Sequence, residues 1–129
     1  MNYISIGEAA AHFGLPESTL RFYEKKGLLP LVERDAAGRR LYSEHQMLLL
    51  KLIIYLKNTH MPIRTIRQYI DWVIEGNHTI PQRLDMMQQH KQAVLDEISF
   101  MHEALDAMDS KITRYQKQLQ SHTESPTTL

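Results

Sequence analysis

The sequence predicts a mainly α-helical protein: a winged helix-turn-helix domain followed by a long dimerisation helix that pairs as a coiled coil. Three observations carry this expectation. Apolar residues recur at spacings of three and four almost throughout, and only five Gly and five Pro punctuate the 129 residues. The formal charge is zero but unevenly distributed: residues 1–74 hold ten basic and seven acidic groups, net +3, and residues 75–129 hold five and eight, net −3. The C-terminal third carries a strict apolar seam of the coiled-coil kind.

Ser5-Ile6-Gly7-Glu8 is a capping box, in which the Ser5 hydroxyl and the Glu8 carboxylate each close an orphan amide at a helix start. That first helix ends at Gly14. After the turn Gly14-Leu15-Pro16 a second helix begins, since Pro16 suits the first turn and Glu17 complements the positive end of the dipole, and it closes at Lys25-Lys26-Gly27. Two short helices joined by a tight turn can place the second in a DNA major groove. Leu28-Leu29-Pro30-Leu31-Val32 is too short and Pro-interrupted for a helix. With the turn-forming Asp35-Ala36-Ala37-Gly38 before Arg39-Arg40-Leu41-Tyr42, it predicts a small β-hairpin, or wing, with a cationic tip.

Ser43 opens a third helix with Gln46 as its capping-box partner, and the apolar residues from Met47 to Leu56 make it largely buried. A break at Asn58 to Met61 precedes Pro62, which begins a fourth helix whose stripe is Ile63, Ile66, Ile70 and Val73 and which ends at Gly76-Asn77. From Thr79 to about Gln120 runs the last helix. Alternating steps of three and four visit Leu84, Met87, Lys91, Val94, Ile98, Met101, Leu105, Met108, Ile112, Tyr115 and Leu119, and only Lys91 is polar. A helix of that length extends about 63 Å, more than the preceding globule can cover, so the seam is expected to pair with a second chain. Glu97, Ala104 and Lys111 occupy g positions, so an antiparallel dimer crossing near Ala104 would set Glu97 against Lys111 of the other chain and Lys91 against Tyr115. The expected organisation is a DNA-binding domain over 1–75, a coiled-coil helix over 76–120 and a disordered Ser/Thr/Pro-rich tail over 121–129.

Composition excludes several function classes. With no cysteine there is no disulfide, thiolate nucleophile, thiol switch or Cys-based metal site. The seven histidines are never three or four residues apart, so no helical His pair can ligate a metal, and no cofactor is expected. No nucleophile is paired with a base at a readable spacing and the glycines form no phosphate loop, which argues against an enzyme. No apolar stretch approaches the ~20 residues of a membrane span, and the N-terminus lacks a signal-peptide layout, so a cytoplasmic protein without a membrane partner is expected.

All ten basic groups of the first part fall between Arg21 and Arg67, against four acidic ones, and this +6 stretch suits a phosphate partner. Arg21 is assigned to the groove and backbone side of the second helix, because a guanidinium is rarely buried unpaired. Ser18 and Thr19 are small hydroxyl residues at that helix's start, able to approach base edges and equally suited to helix initiation. Arg39 and Arg40, with Tyr42, are the candidates for the wing's phosphate or minor-groove contact, and Lys57 and Arg64 could add backbone contacts.

The segments Ile4-Ser5-Ile6-Gly7-Glu8-Ala9-Ala10, Leu20-Arg21-Phe22-Tyr23-Glu24, Lys26-Gly27-Leu28-Leu29-Pro30 and Gly38-Arg39-Arg40-Leu41-Tyr42-Ser43 resemble the DNA-binding domain of the MerR family of bacterial transcription regulators. Glu75-Gly76-Asn77-His78-Thr79, leading into the long helix, resembles the short aldehyde- or electrophile-responsive subgroup. The resemblance implies a winged helix-turn-helix DNA-binding domain and a homodimer joined by an antiparallel coiled coil of the long helices, on a palindromic promoter element between the −35 and −10 boxes. It acts on RNA polymerase indirectly, by untwisting and bending an over-long spacer. It also gives Tyr23 a phosphate contact. The family usually has an aromatic residue where Arg39 stands, which leaves Arg40 as the match to the wing arginine. The reactive cysteine of the subgroup falls by alignment at Tyr55, so thiol-based induction is excluded here, as is the family's Cys-based metal sensing. A small-molecule inducer, if the protein has one, would bind between the arm and the DNA-binding domain near Tyr55, Tyr69 and Trp72, aromatics that core packing would equally explain. The rival reading is a coiled-coil adaptor or anti-repressor whose helix-turn-helix binds protein.

Overall fold

The computed structural model describes residues 3–30 and 32–121, in the order β1 (Ile4–Ser5), α1 (Ile6–Phe13), α2 (Glu17–Lys25), β2 (Glu33–Arg34), β3 (Arg40–Tyr42), α3 (Glu44–Asn58), α4 (Ile63–Glu75), a 3-10 turn (Asn77–Thr79) and α5 (Ile80–Ser121). The chain forms two compact units, Met1–Gln88 and Gln89–Leu129. The division falls inside α5 rather than at the expected 75/76 boundary. The reason is packing: Met86 and Met87, in the second turn of α5, lie against the core of the first unit. Met87, expected in the seam, is therefore shared with that core.

Local sequence explains most of the first unit. The capping box forms as expected, with the Glu8 amide donating to Ser5 Oγ at 3.1 Å and the Ser5 amide to Glu8 Oε1 at 3.3 Å. Gly14 ends α1 at φ 65°, a left-handed conformation that side chains resist. Pro16 is the N-cap of α2 rather than a residue of its first turn. Ser43 caps α3 through the Gln46 amide, but the Gln46 side chain does not complete the box; its Nε2 donates instead to the Pro30 carbonyl at 2.7 Å, tying the loop before the wing to α3.

The sheet holds one strand that periodicity did not predict. β1 pairs antiparallel with β3 (Ile4 opposite Tyr42, Ser5 opposite Leu41), so β3 is the central strand and the order is β1-β3-β2. The core gathers Ala9 and Ala10 of α1, Leu20 and Tyr23 of α2, Leu28, Leu29, Tyr42, then Leu50, Ile53 and Leu56 of α3, Met61, and Ile66 and Ile70 of α4.

The junction between α4 and α5 is closed by polar contacts. Gly76, at φ 118°, turns the chain, and the buried Thr79 hydroxyl lies 2.6 Å from the Trp72 carbonyl and 2.7 Å from that of Gly76. Arg83 reaches back to the Gly76 carbonyl at 2.9 Å and to Thr79 Oγ1 at 3.1 Å. The carbonyls of Trp72, in the last turn of α4, and of the C-cap Gly76 thereby gain side-chain partners.

The second unit is the remainder of α5, a helix of 42 residues in all, begun one residue later than expected. None of its described residues is buried. Along the seam Leu84, Ile98, Met101, Leu105, Met108, Ile112, Tyr115 and Leu119 are exposed and Val94 is half-buried; Leu95 and Phe100 add apolar surface away from it. The expected tail reduces to residues outside those described, because Ser121 still belongs to the helix.

Candidate nucleic-acid interface

The apolar positions of α2 orient it. Leu20 and Tyr23 point into the core, so Ser18, Arg21, Phe22 and Lys25 share the outward face over two turns. Thr19 is half-buried. Arg21 is exposed, donating from Nη2 to Glu17 Oε2 at 3.0 Å, and Lys26 Nζ stands 5.7 Å from the Phe22 ring centre. Tyr23 is only 4% exposed, and burial pushes its phenol pKa up. Its ring is core, whatever its hydroxyl edge meets.

The wing is a hairpin in which Glu33 lies opposite Leu41 and Arg34 opposite Arg40. Its tip is ordered by Asp35. One carboxylate oxygen accepts from the amides of Ala37 and Arg39, each at 2.9 Å, and the other from Arg39 Nε at 2.9 Å. The Arg39 amide foremost, against a smaller opposing effect of desolvation, holds the Asp35 carboxyl below its ordinary pKa. Gly38 closes the turn at φ 81°. Arg39 itself projects outward from the tip.

Arg40 lies closer in. Its Nε donates to Glu24 Oε2, while Arg34 Nη2 donates to Glu24 Oε1 at 3.2 Å and Arg34 Nη1 to the Gly38 carbonyl at 2.8 Å. Glu24 of α2 therefore bridges two arginines of the wing. Neither Glu24 nor Arg34 was singled out from the sequence. Their spacings of ten and sixteen residues follow no helical or strand period, and only the hairpin register brings the two arginines opposite each other.

Tyr42 is placed against expectation. It is 0% exposed, and its hydroxyl is buried with no hydrogen-bond partner among the described residues. A phenol so enclosed is not presented to a phosphate, because Tyr42 belongs to the core that also holds Leu20, Leu28 and Leu50. Lys57 and Arg64 are exposed at the end of α3 and the start of α4. The aromatics expected near an effector are separated by environment: Tyr55 is exposed with Lys51 Nζ 5.9 Å from its ring centre, and Tyr69 and Trp72 are half-buried. A cleft of about 490 Å³ opens instead between α1, β3 and the first half of α3, lined by Ile4, Phe13, Met47 and Leu48 with His12 and Lys51. None of the three aromatics lines it.

An outward helix in a helix-turn-helix, flanked by a cationic hairpin, defines a winged helix-turn-helix DNA-binding head. Residues 4–71 match the family described as "MerR HTH family regulatory protein". The chain belongs to the MerR family and is a DNA-binding transcription regulator. A curated relative from Haemophilus influenzae, an uncharacterized HTH-type transcriptional regulator, is 36% identical over 110 residues, covering 85% of this chain and 82% of its own. The HTH-type transcriptional regulator AdhR of Bacillus subtilis is 30% identical over 93 residues, covering 72% and 66%. Among solved structures, HiNmlR, a MerR family regulator lacking the sensor domain and bound to promoter DNA, superposes with a TM-score of 0.85 at 34% identity over 91% of this chain and 93% of its own. A MerR family regulator from Bacillus thuringiensis gives 0.83 at 39% identity, covering 88% and 100%. These relatives are regulators rather than enzymes, and none favours the adaptor reading. Among the described residues no helix is long and apolar enough to cross a membrane.

Proposed function

We infer that two copies of this chain pair along α5 and bind a palindromic promoter element, controlling transcription by distorting the spacer DNA. In this reading Ser18, Thr19 and Arg21 of α2 meet base edges and backbone in the major groove. Arg39 and Arg40 of the wing meet phosphate or minor groove, the Tyr23 hydroxyl edge a phosphate, and Lys57 and Arg64 the flanking backbone. The observation that carries the proposal is the shared direction of α2 and the wing: Glu24 ties Arg40 to the helix whose outward face bears Ser18 and Arg21. The pairing rests on the exposed seam from Leu84 to Leu119, with Met87 and Val94 partly covered.

Several cations meeting phosphates make binding fall steeply with salt. The test is a titration of fragments from the protein's own upstream region against scrambled DNA of equal length. Preference for the former is expected, and Arg21→Ala combined with Arg40→Ala should abolish it while leaving the dimer intact. Equal affinity for both DNAs, or unaffected binding in the double variant, contradicts the reading.

A further inference from the structure

The Glu24 carboxylate is out of place on a surface that only attracts phosphate. It stands on the helix assigned to the groove, where its charge opposes an approaching polyanion. Its partners explain it. Arg34 and Arg40 lie directly opposite in the β2–β3 register, and like charges so placed push a hairpin apart unless a counter-charge joins them. Glu24 supplies that charge, with one oxygen for each guanidinium.

The two arginines are held differently. Arg34 spends both terminal nitrogens, one on Glu24 and one on the Gly38 carbonyl, so a continuous polar path runs from α2 to the wing tip. Arg40 is held through Nε, and no described residue takes its terminal nitrogens. A guanidinium gripped at its base presents the outer fork for a phosphate in a fixed geometry. The Glu24 and Arg40 side chains are only 21% and 25% exposed, so their pairing is less screened than a surface ion pair.

We propose that Glu24 is a positioning residue for DNA recognition: it locks the wing onto α2 and aims the outer nitrogens of Arg40, so that helix and wing meet the duplex as one preorganised surface. The inference rests on the reading that α2 and the wing face DNA. It opposes the simpler idea that Glu24 competes with phosphate for the arginines, and the two differ in sign. A glutamine has one acceptor oxygen and turns an amide donor toward the second guanidinium, so it cannot serve both.

The experiment is an anisotropy titration of the full-length protein on promoter and scrambled duplexes over a range of salt, with thermal melting of each variant. If Glu24 positions the arginines, Glu24→Gln weakens promoter binding about tenfold or more although it removes a negative charge. The salt slope becomes shallower by about one, as a fixed phosphate contact is lost. Affinity for scrambled DNA stays the same or tightens. Arg34→Lys, which keeps the charge but cannot reach Glu24 and Gly38 together, weakens promoter binding several-fold and is read in place of Glu24→Gln if that variant does not fold. A folded Glu24→Gln that binds the promoter as tightly as wild type or tighter, with an equal or steeper slope, overturns the proposal, and so does an unaffected Arg34→Lys. A wild-type protein with no preference for the promoter overturns the DNA reading itself and this proposal with it.

Discussion

Tyr42 and Asp35 sit seven residues apart in chain order and behave oppositely. Tyr42 carries a hydroxyl into the core and leaves it without a partner among the described residues, at a cost of about 1 to 3 kcal/mol for an unsatisfied buried group. Tyr42→Phe removes that cost and should raise the melting temperature or leave it unchanged, with promoter affinity intact. Loss of affinity in this variant would restore Tyr42 to the DNA surface. Asp35 is held ionised by the wing turn, so its folded pKa lies below the unfolded value, near 3.9. Its contribution is complete above the unfolded value and disappears as pH falls through the folded one. The protection of the Ala37 and Arg39 amides, measured against their intrinsic exchange rates, should therefore fall below about pH 4 while the α3 amides stay protected, and Asp35→Asn should show much of the same loosening at neutral pH. Protection at the tip that does not change with pH would remove Asp35 from this role. Asp35 could be foreseen, because an acid opening a turn that closes on Gly38 acts within four residues. The burial of Tyr42 could not, because it depends on core residues far along the chain, such as Leu20 and Leu50.

The same difference in range separates the elements that were anticipated from those that were not. Ser5 with Glu8, Gly14 and Pro62 act inside one turn of chain, and the helices they delimit match expectation to within a residue or two. Ser43 with Gln46 reads as the same motif and is only half formed, since the Gln46 amide finds the distant Pro30 carbonyl instead. The junction of α4 and α5 depends likewise on a side chain turned inward: the single Thr79 hydroxyl proton lies within reach of the Trp72 and Gly76 carbonyls, and its oxygen accepts from Arg83 Nε. Thr79→Val conserves shape and deletes the hydroxyl's donation to these carbonyls and its acceptance from Arg83, so it should cost about 1 to 3 kcal/mol in chemical denaturation. A change within a few tenths of a kcal/mol would show that the junction is held by other contacts. The pairing of α2 with the wing through Glu24 belongs to this unread class. A carboxylate and two arginines so far apart in sequence have no signature until the strands are in register.

For the molecule as a whole, two patterns were plain from the residues alone: the cationic stretch from Arg21 to Arg67, and the seam of α5. The first gives the winged head its partner. The second leaves a row of large apolar side chains in water along one helix, which a second chain would cover. What the seam does not encode is where the head ends, because Met86 and Met87 serve the core within the same helix. Placing a lysine in the seam with Ile98→Lys removes about 1.5 to 3 kcal/mol of apolar burial from each chain of a dimer, so dimerisation should weaken by about a hundredfold or more. Opposed charges set a finer register: Glu97→Lys should weaken the dimer, and added Lys111→Glu should restore it. Failure of that rescue would require a different register.

The most direct test is the stoichiometry of the protein on its own promoter, measured by sedimentation equilibrium of a labelled duplex bearing one palindrome. Two chains per duplex, delivered by a protein that already sediments as a dimer at working concentration, is the predicted result. A lone subunit in solution, with a single chain bound to the duplex at saturation, would contradict the account.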